Sequence, residues 1–190
     1  MSLLHDEADI GADMDKGHKI MTSKRDQGFT LIELLIVVAI ISIIAAIAVP
    51  NLLRARMSAN ETSALASLKV VNSSEVAYSA SCGNNGYAIS FVTLATPAPT
   101  MGFISADLGV AAPIKSGYNF VLAAGAGAMP GPADCNAVET QTGYYASARP
   151  TGYGTTGSKS YATNAANTVY QQWADISIAE PFGLPAIPIG

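Results

Sequence analysis

The fold is decided by residues 28–53, which read GFTLIELLIVVAIISIIAAIAVPNLL. Between Phe29 and Val49 this stretch has a single charged residue, Glu33. A helix over these residues would be roughly 31 Å long at ~1.5 Å per residue, close to the ~30 Å hydrocarbon core of a bilayer. Its apolar residues occur on every side of the helix, so its surroundings must be apolar all round, either lipid or a bundle of identical helices. We therefore predict that this segment spans a membrane.

Glu33 is the informative exception in the apolar run. Placing a carboxylate in hydrocarbon costs on the order of 3 kcal/mol or more, so an acid at this depth is expected to be paired and functional. The alternative is an acid that lies near enough to the membrane interface to stay hydrated. Both readings stay open on these residues alone.

The run from Gly28 to Val38, with Pro50 and Asn51 after it, resembles the processing site and N-terminal helix of type IV pilins and of the pseudopilins of type II secretion. The shared features are a glycine before an aromatic residue, a glutamate four residues beyond that aromatic residue, and an apolar run that ends at a proline. The resemblance covers only the N-terminal part of the chain.

The resemblance implies a processing and assembly pathway. A prepilin peptidase would cut after Gly28 on the cytoplasmic side and methylate the new amino group of Phe29. Subunits would then leave the lipid of the inner membrane, with the help of membrane assembly machinery, and join a helical homopolymer outside the cell. Glu33 of one subunit would meet the Phe29 ammonium of a neighbour, and opposite charge does stabilise a buried carboxylate.

Three other interpretations of the sequence remain as alternatives. The first is a pseudopilin whose fibre stays in the periplasm and serves type II secretion. The second is an ordinary secretory signal, because Ala46 and Ala48 flank Ile47 in an A-x-A-like cleavage pattern. The third is a membrane-tethered or secreted binding domain that does not polymerise.

Residues 1–28 read as a leader peptide, polar and of mixed charge, with Met21 as an alternative start. The positive charges of Lys24 and Arg25 before the span favour a cytoplasmic N-terminal side. Two arginines just beyond the span weaken this difference in positive charge between its two sides. Residues 29–50 then form the spanning helix. Pro50 lacks an amide hydrogen and its ring presses on the carbonyl of Ala46, so a kink is expected there.

Residues 51–81 are predicted to continue the helix with one apolar face. The members of that face are Leu53, Met57, Ala64, Leu68, Val71 and Tyr78, with Leu65 at its edge. Glu61 and Glu75 are assigned to a solvated polar face, with subunit contacts as the alternative. The turn-forming residues 82–86 are expected to end the helix.

Residues 82–190 are predicted to form a globular head with a small antiparallel sheet. Aromatic and β-branched residues mark strands at 118–123, 143–149, 159–163 and 168–172, and residues 164–167 would join the last two as a hairpin. Residues 87–116 read as an irregular connection with a short helix or turn, residues 125–134 as a loop, and residues 181–190 as an extended tail. The fold class is therefore α+β, with a long kinked N-terminal helix packed on this sheet.

The composition of the chain limits the functions that it can have. The net charge is −4 and 13% of residues are charged, without the basic clusters of a nucleic-acid-binding protein. His5 and His18 both precede the proposed cut, so the processed chain would lack the usual general base and the commonest metal ligand. Cys82 and Cys135 are expected to form one disulfide on the far side of the membrane. We predict a structural protein, not an enzyme, with no catalytic residue, metal or cofactor.

Two motifs are interpreted as coincidental. Residues 152–157 fit G-x-G-x-x-G, but a strand pattern follows where a phosphate-binding loop needs a helix, so we predict a loop between strands. Asp134, Asn136 and Glu139 offer oxygen atoms to calcium without EF-hand spacing, and we assign them to a solvated loop.

Overall fold

A computed structural model describes residues 28–96 and 102–189. The predicted leader, with Met21, Lys24 and Arg25, lies outside the described residues except for Gly28. The chain divides into two compact units, Met1–Ser42 and Ile43–Gly190, and each is described by itself.

Helix α1 (Leu31–Ser81) is the first element of the described residues. Every residue from 28 to 53 is exposed, and the first helical residue, Leu31, exposes 76% of its surface. By length and composition α1 is the one helix of the described chain that could cross a membrane. The helix continues through Pro50. The kink at Pro50 stays a prediction.

In the second unit, one face of α1 packs into the protein core. Ala64, Leu68, Val71 and Tyr78 are fully buried, as predicted. The prediction was wrong for Leu53, which is 45% exposed, because the buried part of α1 starts only at Ala64. Apolar spacing identified the correct face, but it could not show where along the helix the contact with the sheet begins.

The end of α1 agrees with the turn residues that follow it. The N–H groups of Cys82 and Gly83 both donate to the carbonyl oxygen of Tyr78, at 2.9 and 2.8 Å. Asn84 and Asn85 have φ of 49° and 69°, in the left-handed region that asparagine tolerates better than most residues. The helix therefore stops at Ser81.

The head contains a six-stranded antiparallel sheet in the order β1-β2-β5-β6-β7-β8 and a two-stranded sheet, β3–β4. The strands are β1 Ile114–Lys115, β2 Tyr118–Ala124, β3 Pro130–Ala133, β4 Glu139–Gln141, β5 Tyr144–Pro150, β6 Ser160–Asn164, β7 Val169–Gln172 and β8 Ile187–Ile189. All four predicted strands are present as β2, β5, β6 and β7, and the turn between Asn164 and Asn167 joins β6 to β7. The predicted α+β fold is confirmed.

The elements that sequence reasoning missed are short and lie mostly in stretches predicted to be irregular. The short helix or turn predicted within the connection 87–116 is present as helix α2 (Phe91–Ala95). Strand β3 lies inside the predicted loop 125–134, β1 lies in the connection 87–116, β8 is part of the tail, and β4 follows Cys135. These strands have two to four residues, and β3 and β8 contain proline, so pairing with a neighbour determines them more than local propensity does.

The central strands are covered on both faces. On one face, Phe120, Ala146 and Tyr161 pack in the main core, which includes the buried side of α1. On the other face, Ala162 packs with Ile178 and Ala186 of the C-terminal tail. Because side chains alternate along a strand, β5 and β6 contribute to both clusters.

The predicted disulfide is present between Cys82 and Cys135. The Cys135 N–H also donates to the Cys82 carbonyl oxygen at 2.9 Å. The bond fastens the segment after β3 to the end of α1 and closes a loop whose ends are 53 residues apart in sequence. On the chain-entropy model, a cross-link of this span strongly restricts the unfolded chain.

Replacing both cysteines by serine should lower the free energy of unfolding of the head by about 4 kcal/mol, the chain-entropy value for a loop of this size. Urea unfolding of the full chain in detergent, oxidised wild type against the double variant, measures the difference. Reductant should destabilise the wild type by the same amount and leave the variant unchanged. A loss below ~1 kcal/mol would contradict the argument.

Candidate functional site

The start of α1 is fixed by a reciprocal pair of hydrogen bonds between Thr30 and Glu33. The Glu33 N–H donates to Thr30 Oγ1 at 3.2 Å, and the Thr30 N–H donates to Glu33 Oε2 at 2.9 Å. The Thr30 hydroxyl also donates to Glu33 Oε2, at 2.6 Å. This is a capping box, with Thr30 before the first helical residue and Glu33 three positions later.

The capping box gives Glu33 a role within its own chain that sequence reasoning missed. The signal was available, because a threonine followed three residues later by a glutamate marks a helix start. Glu33 therefore has local hydrogen-bond donors, but Thr30 brings no positive charge. The Glu33 side chain lies exposed at the start of the apolar helix surface.

Gly28 and Phe29 lie exposed immediately before this cap. Phe29 exposes 90% of its surface. A Cβ atom added at Gly28 would meet nothing within 4 Å, so the fold of this chain does not require glycine there. Any requirement for glycine at this position must come from a molecule that binds the segment.

Pro50 is the remaining residue predicted for this N-terminal region, and the structure places it within α1, exposed like its neighbours. Large apolar side chains are exposed along the whole helix before and just after it, among them Ile36, Ile40, Ile44, Ile47 and Leu52. A monomer in water would not keep such a surface, so lipid or other protein chains must cover it.

The G-x-G-x-x-G segment forms a loop between β5 and β6, as predicted. Helix α1 holds it in place: Asn60 Nδ2 donates to the Thr156 carbonyl at 3.0 Å, and Glu61 Oε1 accepts from the N–H and the hydroxyl of Ser158, both at 2.8 Å. Lys159 Nζ lies 3.5 Å from Glu61 Oε2. The assignment of Glu61 to a solvated face was wrong, because its carboxylate fastens this loop to the helix.

Asp134 is also not a solvated loop residue. It is buried, its Oδ1 accepts from the N–H groups of Asn136 and Val138 at 2.8 Å each, and its Oδ2 accepts from the Tyr78 hydroxyl at 2.7 Å. These bonds shape the turn after Cys135. Within residues 28–96 and 102–189, no cluster of three or more His, Cys, Asp or Glu side chains could hold a metal ion.

Glu75 is the largest departure from the predicted polar face of α1. Its surface is completely buried, and the Ala88 N–H donates to its Oε2 at 3.0 Å. Burial raises the pKa of Glu75 to about 8, against the smaller opposing effect of the Ala88 hydrogen bond. Burial also raises the pKa values of the nearby Tyr78 and Tyr144 phenols above their ordinary range.

The N-terminal segment matches known proteins. A sequence model described as the prokaryotic N-terminal methylation motif matches residues 23–49, which include Gly28, Phe29 and Glu33. This motif covers the capping box and most of the exposed apolar helix.

Two relatives show the same similarity. The type IV wide pilus major component PilA4 of Thermus thermophilus is 69% identical over 36 residues, which are 19% of this chain and 28% of that protein. The type IV major pilin protein PilA of Myxococcus xanthus is 44% identical over 54 residues, 28% of this chain and 24% of the relative. The chain thus spans about a quarter of the length of these relatives. No solved structure matches it significantly.

Proposed function

Because the chain carries the N-terminal segment of the type IV pilin family, we propose that it is a structural subunit of a type IV pilus. In this proposal a prepilin peptidase cuts after Gly28 and methylates Phe29. The subunit sits in the inner membrane through one helix before it enters the filament, and it is extracellular afterwards. The names of both relatives refer to pili, which supports a pilus rather than a secretion pseudopilus.

One observation carries the proposal: α1 is exposed on all sides from residue 31 to residue 53, and a carboxylate is placed three residues into it. The same surface can be covered first by lipid and later by identical helices, which are equally apolar. A filament core built from such helices needs no ligand and no catalytic group.

The capping box sharpens the role proposed for Glu33. Cleavage after Gly28 would create an ammonium group on Phe29, one residue before Thr30. In the filament, the Phe29 ammonium of a neighbouring subunit would supply the positive charge that Thr30 does not. A pair that is removed from water in this way loses several kcal/mol when one partner is missing.

Glu33 variants separate capping from charge pairing. Glu33→Gln keeps an oxygen that can accept the Thr30 N–H but removes the charge, whereas Thr30→Val removes the capping hydroxyl and keeps the charge. We expect Glu33→Gln to reduce filaments in the sheared surface fraction by more than about tenfold, since breaking a buried ion pair costs about 3–5 kcal/mol. Thr30→Val should cost about 1 kcal/mol of helix stability and leave filaments largely intact.

Immunoblots of the sheared and membrane fractions, with intact masses, measure this outcome. The processed subunit should accumulate in the membrane for Glu33→Gln, which shows that cleavage is unaffected. Normal filaments from Glu33→Gln would refute charge pairing. Loss of filaments from Thr30→Val, with Glu33→Gln unaffected, would assign Glu33 to capping alone.

A further inference from the structure

Glu75 is a buried carboxyl group that the proposed filament function does not use. It lies on the inner face of α1 with none of its surface exposed. Its Oε2 accepts one hydrogen bond, from the Ala88 N–H at 3.0 Å, and its Oε1 has no hydrogen-bond partner within the described residues. A carboxylate with one donor and no cation is costly in such a place, so the site fits a neutral carboxyl group.

The titratable groups near Glu75 include no cation that would favour its ionised form within the described residues. Tyr78 of α1 and Tyr144 of β5 both interact electrostatically with it. The Tyr87 ring contacts the Tyr144 ring, tilted by 54° with 5.1 Å between centroids, and the Asp134 carboxylate accepts a hydrogen bond from the Tyr78 hydroxyl. Neither of the two ion pairs formed by residues 28–96 and 102–189 involves Glu75. The titratable groups that the described residues place near Glu75 are phenols and a second acid, and none of them carries a positive charge.

Ala88 belongs to a segment that makes few other hydrogen bonds to the rest of the head. Residues 87–95 run from the end of the α1 turn through α2. Tyr87 exchanges two backbone hydrogen bonds with Gln141, at 2.8 and 3.1 Å, and the Leu94 carbonyl accepts from the Phe103 N–H at 2.8 Å. Between these two ends, the Ala88 N–H donates to Glu75, and the Val92 carbonyl accepts from the hydroxyl of Thr96, the residue just beyond the segment, at 2.6 Å. The side chains of Ala88, Phe91 and Leu94 are buried in the core, and those of Tyr87 and Ala95 pack against it.

We propose that Glu75 is a proton-operated latch: its neutral carboxyl group holds residues 87–95, with α2, against α1, and loss of the proton lets this segment detach while the sheet stays folded. The segment is the element that gives way because its backbone hydrogen bonds to other elements of the described head are confined to Tyr87, Ala88 and Leu94, whereas β5 and β6 are hydrogen-bonded on both sides. Segments with few hydrogen bonds to the rest of a fold open locally before the whole fold does.

The pH range follows from the two states of the latch. In the closed state burial raises the pKa of Glu75 to about 8, whereas the open state gives it the ordinary value of 4.5. Between these values the open state holds fewer protons, so the opening equilibrium rises about tenfold per pH unit and levels off above ~8. The latch is therefore tightest in acid.

Hydrogen exchange of the full chain in detergent tests the latch. Exchange of residues 87–95, corrected for the intrinsic pH dependence, should speed up about a thousandfold from pH ~5 to pH ~8 in the wild type. In Glu75→Gln, which cannot ionise, the corrected exchange should stay flat over this range. Glu139→Gln is the matched control, because it removes an exposed carboxylate from the same head and should behave as the wild type.

The sheet amides distinguish local from global opening. At pH ~8 residues 87–95 should exchange faster than β5 and β6, and low urea should change their rate little, because a local opening exposes little surface. Equal protection of the segment and of β5 would overturn the latch, since global unfolding alone would then explain exchange. A pH-independent wild type would overturn it too. Neither result depends on filament assembly.

Discussion

Replacing Gly28 by leucine should leave the whole precursor uncut in the inner membrane, and filaments should be lost. A side chain at this position has free space in the chain itself, where nothing lies within 4 Å of the added Cβ atom. The fold and the helix cap are therefore expected to be unchanged. In the proposed pathway, the effect would arise where the prepilin peptidase binds the segment around the Gly28–Phe29 bond.

N-terminal sequencing and intact masses of the membrane and sheared fractions measure this result. The wild type should begin with N-methylated Phe29 in both fractions, and Gly28→Leu should keep its leader in the membrane fraction. Gly183→Leu is the matched control, since a Cβ atom there also meets nothing within 4 Å. Filaments of normal amount from Gly28→Leu would refute the processing assignment. A wild-type chain that begins at Val49 would point instead to an ordinary secretory signal.

The sequence predicts the parts of this fold that repeat a pattern over many residues. The apolar run before Pro50 and the spacing of Ala64, Leu68, Val71 and Tyr78 identify the helix and its buried face. The longer strands are rich in aromatic and β-branched residues, and their predicted positions agree closely with the observed ones. Strand β8 could not be found in this way, because Pro188 lies in its middle and its register is fixed by the pairing with β7.

The charged residues of α1 were harder to place. Glu61 and Glu75 occur in a polar-looking helical pattern, but their environments depend on the loops that pack over them. Glu61 meets Ser158, which is 97 residues away in sequence, and Glu75 meets Ala88 across a turn. The Glu33 cap needed no tertiary information, since Thr30 and Glu33 are three residues apart. The partner proposed for its charge lies on another chain and cannot be read from this one.

Rising pH should destabilise the whole head through Glu75, apart from any local opening. The pKa of Glu75 is raised to about 8 in the folded protein, because of burial, and is near 4.5 when the chain unfolds. Below ~4.5 both states are protonated and the group has no effect; between ~4.5 and ~8 the unfolded state alone ionises, so the stability falls with pH. The loss levels off above ~8 and is at most about 5 kcal/mol, because detachment of residues 87–95 also lets Glu75 ionise.

Glu75→Gln should remove this slope. At pH ~4.5 the variant should lie within about 1–3 kcal/mol of the wild type, because the amide leaves donors unpaired where Oε1 has no partner among the described residues. At pH ~8 the variant should be the more stable protein, since it has no proton to lose. Urea unfolding of the full chain in detergent at these two pH values gives the difference, and other titrating groups cancel in the comparison.

The crossing of the two stability curves is the decisive feature. A substitution that only damaged packing would lower the stability by the same amount at every pH, so the curves would stay parallel. The control Glu139→Gln removes an exposed carboxylate, and its curve should run alongside that of the wild type. Parallel curves for Glu75→Gln would mean that Glu75 ionises in the folded head, which requires that water or a cation reach Oε1 or that residues 87–95 detach readily.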